Sequence, residues 1–364
     1  MMQRLLRGQL LYFVLGLLVI FLYMRAMRVA SLRALEEAGS PQASQSVGVA
    51  PAEVEAAHVN DAMDWWPKTL DRAALKRAAA KEPLLGLALS ALSIFVFGMG
   101  LSGVALTVSG VWTGRVRSIW RYHSRRLPRW SFGELGRITA LILMLVSLLP
   151  LVRFSVAPQL SVKLGSHLWV SLSMLVLDSF VILIILVFAS GKGKSVWRTL
   201  GFSGRQLAPS VGTAFRGYVA VFPWLFLLLF LTVEAVQYFG MKPPVEPIQE
   251  LVFQEQNPLV LALTVLLACV VGPAGEELFF RGVLYPAIRQ RSSRLTAMLI
   301  SGAAFSLIHT NLVGFLPILV LGCLLADLYE RTGSLISPLA VHMLHNTVLM
   351  SLAFVFRRLM WLIG

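Results

Sequence analysis

Charged residues are scarce in this chain of 364 residues, since only 14% are Asp, Glu, Lys or Arg, against about a quarter in ordinary soluble domains. Apolar residues make up 57% of the chain, and the mean hydropathy is +0.75. This balance excludes a disordered or collagen-like chain and argues strongly against a water-soluble enzyme. There are only two cysteines, Cys269 and Cys323, so a disulfide framework and a four-cysteine zinc site are also excluded.

Apolar runs of about membrane-spanning length recur along the whole chain. Backbone groups within lipid must be hydrogen-bonded internally, and the alternation typical of a β-barrel is absent, so these runs predict helices. The predicted fold class is therefore all-α, a polytopic transmembrane helical bundle of about eight or nine spans. The candidate spans are residues 9–24, 84–111, 138–151, 167–190, 218–236, 259–280, 295–308, 312–328 and 338–356.

Basic residues concentrate in three alternate segments between these runs, 113–137, 191–217 and 281–294. Their net formal charges of +6, +5 and +4 account for the excess of basic over acidic residues in the whole chain. By the positive-inside rule, these segments are predicted to face the cytoplasm, as in a multi-pass protein of the cell membrane. Arginines in such short loops indicate orientation in a lipid bilayer, so no nucleic-acid partner is expected.

Ionisable residues within a span cost roughly 2.5–3.5 kcal/mol each on insertion scales, so each of them needs a reason. Asp178 and Glu234 stand alone, and an interhelical hydrogen bond or an interfacial position is the favoured interpretation of each. The C-terminal part differs, because several such groups occur together in GPAGEELFFRG (272–282), FSLIH (305–309) and HMLHN (342–346).

The residue spacing in the first of these motifs predicts which side chains share a face of the helix. Glu277 and Arg281 are separated by four residues, with the acid on the N-terminal side, so they can pair on one face of a helix. Glu276 is rotated by about 100° from Glu277 and can therefore point elsewhere, into the bundle.

The other two motifs each place a pair of side chains on one helix face, Phe305 with His309 and His342 with Asn346. Counted at about 1.5 Å per residue from the predicted turns, these polar groups and Glu276 reach similar depths. We therefore expect them to converge at one buried level that opens toward the cytoplasm. Each group alone has a structural interpretation, as a clamp, a packing histidine or an interhelical hydrogen bond. Together they favour a functional site.

In these residues the chain resembles the CAAX protease and bacteriocin-processing family of intramembrane endopeptidases, also called Abi. That family is marked by EExxxR, FxxxH and HxxxN, which here begin at Glu276, Phe305 and His342. The resemblance covers about 258–352 and implies an intramembrane endopeptidase of the CAAX prenyl protease type. Its implied partners are a lipid bilayer and a membrane-anchored protein or peptide substrate, of the CAAX type or otherwise lipidated.

The resemblance also implies a role for each motif position. Glu276 would activate the attacking water, His309 would help to hold it, His342 and Asn346 would stabilise the oxyanion, and Glu277, Arg281 and Phe305 would support them. A zinc site formed by Glu276, His309 and His342 stays open as an alternative. HExxH is absent, and the residue roles favour a reaction without a metal or other cofactor.

The chain is predicted to have five segments. A membrane anchor at 1–28 is followed by a partly disordered non-cytoplasmic linker at 29–83, which has a short amphipathic helix near 71–81. Residues 84–257 form transmembrane helices of unassigned role with basic cytoplasmic loops. A catalytic core at 258–352 and a tail at 353–364 complete the chain.

Other chemistries and functions have weaker support in the sequence. Ser306 lacks the GxSG-like turn of a rhomboid-type serine protease, and Asp178 and Asp327 lack the GxGD context of an aspartyl type. A non-catalytic membrane scaffold or a bacteriocin self-immunity protein on the same fold is the alternative function. A small-solute transporter is a third reading, but the inverted repeats expected of one are not apparent.

Overall fold

The computed structural model describes residues 72–113, 127–155, 165–192, 195–200, 202, 207–240, 247–309 and 313–363, together with Phe21 and Met24. Within these ranges every regular element is a helix, which confirms the all-α fold. The predicted anchor at 1–28 and most of the linker at 29–83 lie outside the described residues. The short helix predicted near 71–81 is present at Arg72–Lys81.

The described helices follow the predicted spans closely. They are α1 (Arg72–Lys81), α2 (Pro83–Trp112), α3 (Phe132–Ser155), α4 (Ser166–Ser190), α5 (Val196–Thr199), α6 (Leu207–Tyr238), α7 (Pro247–Gln254), α8 (Pro258–Leu266), α9 (Gly272–Phe279), α10 (Tyr285–Arg289), α11 (Arg294–Ile308), α12 (Phe315–Thr332) and α13 (Ile336–Ile363). Helix α13 continues through most of the predicted tail at 353–364.

Five stretches within the described part of the chain are long and apolar enough to cross a membrane. They are Pro83–Trp112, His167–Ser190, Ala208–Tyr238, Pro258–Arg289 and Ile336–Leu362. Each overlaps one of the nine candidate spans, so the protein is a polytopic helical membrane protein.

The stretch Pro258–Arg289 is a broken helix, in which π-helical segments at Leu267–Val271 and Phe280–Leu284 separate α8, α9 and α10. In the first segment the Gly272 N–H bonds to the Leu267 carbonyl, five residues back, and the next residue is Pro273, which has no N–H. The Ala268 carbonyl therefore has no donor within its own helix.

A second carbonyl of this broken helix, that of Gly282, lacks its α-helical donor because the residue four positions on is Pro286. A side chain from elsewhere in the fold satisfies each of the two carbonyls. Asn346 Nδ2 on α13 donates to the Ala268 oxygen at 2.7 Å, and Trp130 Nε1, ahead of α3, donates to the Gly282 oxygen at 2.7 Å. The two prolines thus determine where distant segments attach.

Helices α11 and α12 cross at two glycines. A Cβ atom on Gly302 would lie 2.8 Å from Cys323 Sγ, and one on Gly322 would lie 2.9 Å from the Gly302 Cα. No real Cβ tolerates such contacts, so the absence of side chains at both positions allows the two backbones to touch.

Arg281 corrects the sequence interpretation of 281–294 as a basic loop. The helical stretch runs on to Arg289, and Arg281 lies in the second π segment with no exposed surface. Of the other arginines in this segment, Arg289 bonds to Glu330 and Arg294 pairs with Asp327. The net charge of the predicted loop therefore included a buried residue, which a count along the sequence cannot separate from loop charges.

Candidate active site

The Glu277 carboxylate lies at the centre of a buried polar cluster. Arg281 Nη1 donates to Glu277 Oε1 at 2.8 Å, and His342 Nδ1 lies 2.9 Å from the same oxygen. Arg281 also donates through Nη2 to the Gly322 carbonyl at 3.0 Å, and its guanidinium carbon lies 4.4 Å from the centre of the Phe305 ring. Glu277 and Arg281 therefore form a rigid, desolvated pair that fixes the position of the His342 ring.

Glu276 precedes this pair in α9 but has a different environment. Its side chain is 28% exposed, whereas that of Glu277 is 2% exposed. Glu276 Oε2 lies 3.6 Å from His342 Nε2, and among the described residues it has no hydrogen-bond partner. The imidazole of His342 thus faces one carboxylate with each nitrogen, and Glu276 is the more accessible of the two acids.

Phe305 and His309, at the C-terminal end of α11, lie beside this cluster. The Phe305 ring is buried, with its centre 5.4 Å from that of His342 and 4.9 Å from that of His309. His309 Nδ1 lies 2.8 Å from the Phe305 carbonyl oxygen, to which it can only donate. In the neutral ring the lone pair is therefore on Nε2, where it can accept a hydrogen bond from water or substrate.

Asn346 is one helical turn beyond His342 on α13. Its amide gives one hydrogen to the Ala268 carbonyl, which leaves the second hydrogen and the side-chain oxygen for another ligand. The i,i+4 spacing predicted a common face for His342 and Asn346, but the anchoring carbonyl depends on the π segment and Pro273, which the hydrophobic pattern does not reveal.

The structure corrects the interpretation of Asp178 as an isolated acid. Helix α4 packs against α9, and a Cβ atom on Gly272 would lie 3.7 Å from Asp178 Oδ2 and 3.9 Å from Glu276 Oε1. No motif links residues so far apart in sequence, and only the charge within a span could have drawn attention to Asp178. The other such residue, Glu234, is exposed on α6.

The zinc alternative was tested against the same geometry. The two nitrogens of His342 face the two carboxylates, and His309 Nδ1 is engaged by the Phe305 carbonyl. Among the described residues, no three His, Cys, Asp or Glu side chains are grouped as metal ligands would be. The zinc alternative therefore stays open, since a zinc-bound histidine likewise has its second ring nitrogen engaged by a carboxylate or a carbonyl.

The fold and the site define a polytopic helical membrane protein with a centre of carboxylates, imidazoles and an amide between its helices. Residues 258–348 match the family model for type II CAAX prenyl endopeptidase Rce1-like proteins, which confirms the predicted resemblance over that stretch.

A curated relative, "Putative membrane peptidase YdiL" of Bacillus subtilis (strain 168), is 33% identical over 85 residues. The match covers 23% of this chain and 35% of that protein, so the chain spans about a third of the relative's length. No solved structure matches the chain. The family match therefore lies in the C-terminal part of the chain, which carries all three motifs.

Proposed function

We propose that this protein is an intramembrane endopeptidase of the CAAX prenyl protease type that hydrolyses peptide bonds in membrane-anchored, CAAX-type or otherwise lipidated, proteins or peptides. The observation that carries the proposal is the contrast between two adjacent acids. Glu277 is buried and held by Arg281 and His342, whereas Glu276 is 28% exposed and its nearest ionic partner among the described residues, His342 Nε2, is 3.6 Å away. One acid organises the site, and the other is free to transfer a proton.

In the proposed reaction Glu276 removes a proton from a water molecule, whose oxygen attacks the carbonyl carbon of the scissile bond. His309 helps to hold the same water through Nε2. The C–N bond then breaks, and the proton on Glu276 passes to the leaving amine. The new carboxyl terminus keeps the oxygen of the water.

His342 and Asn346 are proposed to stabilise the negative charge that develops on the carbonyl oxygen. In its imidazolium form, His342 keeps its Nδ1 hydrogen on Glu277 and presents its Nε2 hydrogen to the oxyanion. Asn346 contributes the amide hydrogen that Ala268 does not use. Because Glu277 and Ala268 fix both side chains beforehand, the donors need little reorganisation during the reaction.

We further propose that the protein lies in the cell membrane with its basic segments at 113–137 and 191–217 on the cytoplasmic side. This orientation would open the site toward the cytoplasm and to substrates anchored in that leaflet.

The test is a map of peptide termini in membranes that contain wild-type protein or Glu276→Gln at matched levels. Because a general base contributes about 100- to 10,000-fold, termini produced by the wild type should be absent with Glu276→Gln. Glu234→Gln, the same acid-to-amide change at an exposed position on α6, is the matched control and should cleave normally.

Two outcomes would overturn parts of the proposal. Identical maps for wild type and Glu276→Gln, across growth conditions and with added bacteriocin-like peptides, would favour the non-catalytic scaffold or immunity protein. Stoichiometric bound zinc in the purified protein, lost in His309→Ala, would replace the metal-free mechanism with the zinc alternative.

A further inference from the structure

Asp178 reaches the site because α4 packs closely against α9. A Cβ atom on Gly275 would lie 3.7 Å from Ile182 Cγ1 and 3.8 Å from the Asp178 carbonyl oxygen. The two helices are therefore in van der Waals contact at Gly275, and the Asp178 side chain extends toward the preceding turn of the broken helix, at Gly272. Helix α4 lies outside the stretch 258–348 that matches the family model.

Gly272 leaves a notch between two carboxylates. The position that its Cβ would occupy is 2.9 Å from the Leu267 carbonyl oxygen, which already accepts from the Gly272 N–H, 3.7 Å from Asp178 Oδ2 and 3.9 Å from Glu276 Oε1, so the two carboxylate oxygens border the same space. The other oxygen of Glu276, Oε2, faces His342 and has no hydrogen-bond partner among the described residues. Glu276 therefore has one oxygen directed toward His342 and the other toward Asp178.

We propose that Asp178 is a positioning residue of this site, which holds the attacking water together with Glu276 in the notch above Gly272. The proposal rests on the function proposed above and adds a residue to it. A water molecule has two hydrogens, and a carboxylate oxygen on each side of the notch can accept one of them. With both hydrogens engaged, one lone pair of the water oxygen can accept from protonated His309 Nε2, and the other is directed toward a substrate carbonyl.

The proton balance is unchanged by this addition. Glu276 takes one hydrogen of the water as the oxygen bonds to the carbonyl carbon, and it later gives that proton to the leaving amine. Asp178 accepts a hydrogen bond throughout and neither gains nor loses a proton. Its contribution is orientation, for which a misplacement of about 1 Å can cost about 100-fold in rate.

The test compares Asp178→Asn, Asp178→Glu and wild type on a quenched fluorescent peptide that contains a cleavage sequence found in the terminus map. We expect Asp178→Asn to lower kcat by about 10- to 100-fold and to leave KM within about twofold, because a water position is lost and substrate contacts are kept. Asp178→Glu, which keeps a carboxylate, should retain more activity than Asp178→Asn. Glu234→Gln is again the matched control.

The outcomes separate this inference from the proposed function. If Glu276→Gln is inactive while Asp178→Asn has the wild-type kcat, the peptidase stands and the role of Asp178 is wrong. A lower melting temperature of Asp178→Asn with unchanged kcat per folded molecule would identify a purely structural residue and also overturn the inference. If no terminus depends on Glu276, the proposed function fails and this inference fails with it.

Discussion

Two polar clusters, each with a buried carboxylate, contain residues of the same broken helix and differ in how their carboxylate oxygens are hydrogen-bonded. Glu330, which is fully buried, accepts from the Tyr285 hydroxyl at 2.5 Å through Oε2 and from Arg289 Nε at 3.0 Å through Oε1. In the site cluster, Glu276 and Glu277 each keep an Oε2 atom without a hydrogen-bond partner among the described residues.

The difference separates a structural acid from acids available for chemistry. Buried polar groups are nearly always paired, because an unpaired one costs free energy of folding. The Glu330 cluster follows this rule and can be understood as a link between α10 and α12. The site cluster departs from it at two oxygens, as expected where a water or a substrate group completes the hydrogen bonding.

Removal of the Glu277–Arg281 ion pair from the site cluster should have the largest effect on stability. Arg281→Met leaves the buried Glu277 charge without its partner, and such a loss costs about 3–5 kcal/mol of the free energy of unfolding. Denaturation in detergent micelles should show this as a large drop in stability, with loss of activity.

The matched control is Arg358→Met, whose half-exposed guanidinium pairs with Glu82 at the protein surface and whose loss should change stability little. Equal stability of Arg281→Met and wild type would mean that Glu277 is neutral in the folded protein and that the pair is not an ionic clamp.

Loss of the proposed oxyanion donor Asn346 should have the second-largest effect. Asn346→Ala removes one hydrogen-bond donor from the proposed oxyanion site, so kcat should fall about 100-fold. It also leaves the Ala268 carbonyl unpaired, so stability should fall by about 1–3 kcal/mol. Turnover per folded molecule separates the two effects, and Thr347→Ala, at the next and exposed position, is the control. Unchanged turnover would limit Asn346 to anchoring the broken helix.

The sequence predicted the parts of the site that depend on regular helical spacing. Glu277 and Arg281 pair as their spacing of four residues indicates, and the Phe305 ring contacts that of His309. These pairs were predictable because one α-helical turn brings their side chains together, whatever the rest of the fold.

The parts that depend on irregular backbone or on distant helices were not predictable. Pro273 lies in a predicted apolar span and Pro286 in the predicted basic segment 281–294, and neither pattern indicates the carbonyls that are left for Asn346 and Trp130. The contact of Asp178 with the site depends on the packing of α4 against α9, and no local pattern encodes such packing.

A change in the Glu330 cluster should have a smaller effect, which lowers stability without lowering turnover. Tyr285→Phe removes the hydroxyl donor to the buried Glu330 oxygen, so stability should fall by about 1–3 kcal/mol. Turnover per folded molecule should stay at the wild-type value, since this cluster has no role in the proposed reaction. A large fall in kcat with little loss of stability would end the distinction between the two clusters.

Glu255 lies outside the membrane-spanning stretches, and its replacement should give the smallest effect. Hydrogen bonding from the Asn257 N–H, with further bonds from His167 and the Gln256 N–H, lowers the pKa of Glu255 below its ordinary value of 4.5. Its contribution to stability is therefore present above pH 4.5 and is lost as the pH falls through the lowered pKa. Between pH 6 and pH 3 the melting temperature of wild type should fall slightly more than that of Glu255→Gln, and parallel curves would contradict this linkage.

The crossing of α11 and α12 at Gly302 and Gly322 sets the dimensions of the site. Phe305 and His309 lie along α11 from one glycine, while the carbonyl of the other holds Arg281 and through it Glu277. The position of the α11 residues relative to the acid pair therefore depends on the close approach of two backbones, which cannot change as a side-chain rotamer can. A methyl group at either glycine would force neighbouring atoms to shift and so would alter the distance between the histidine proposed to hold the water and the acid pair.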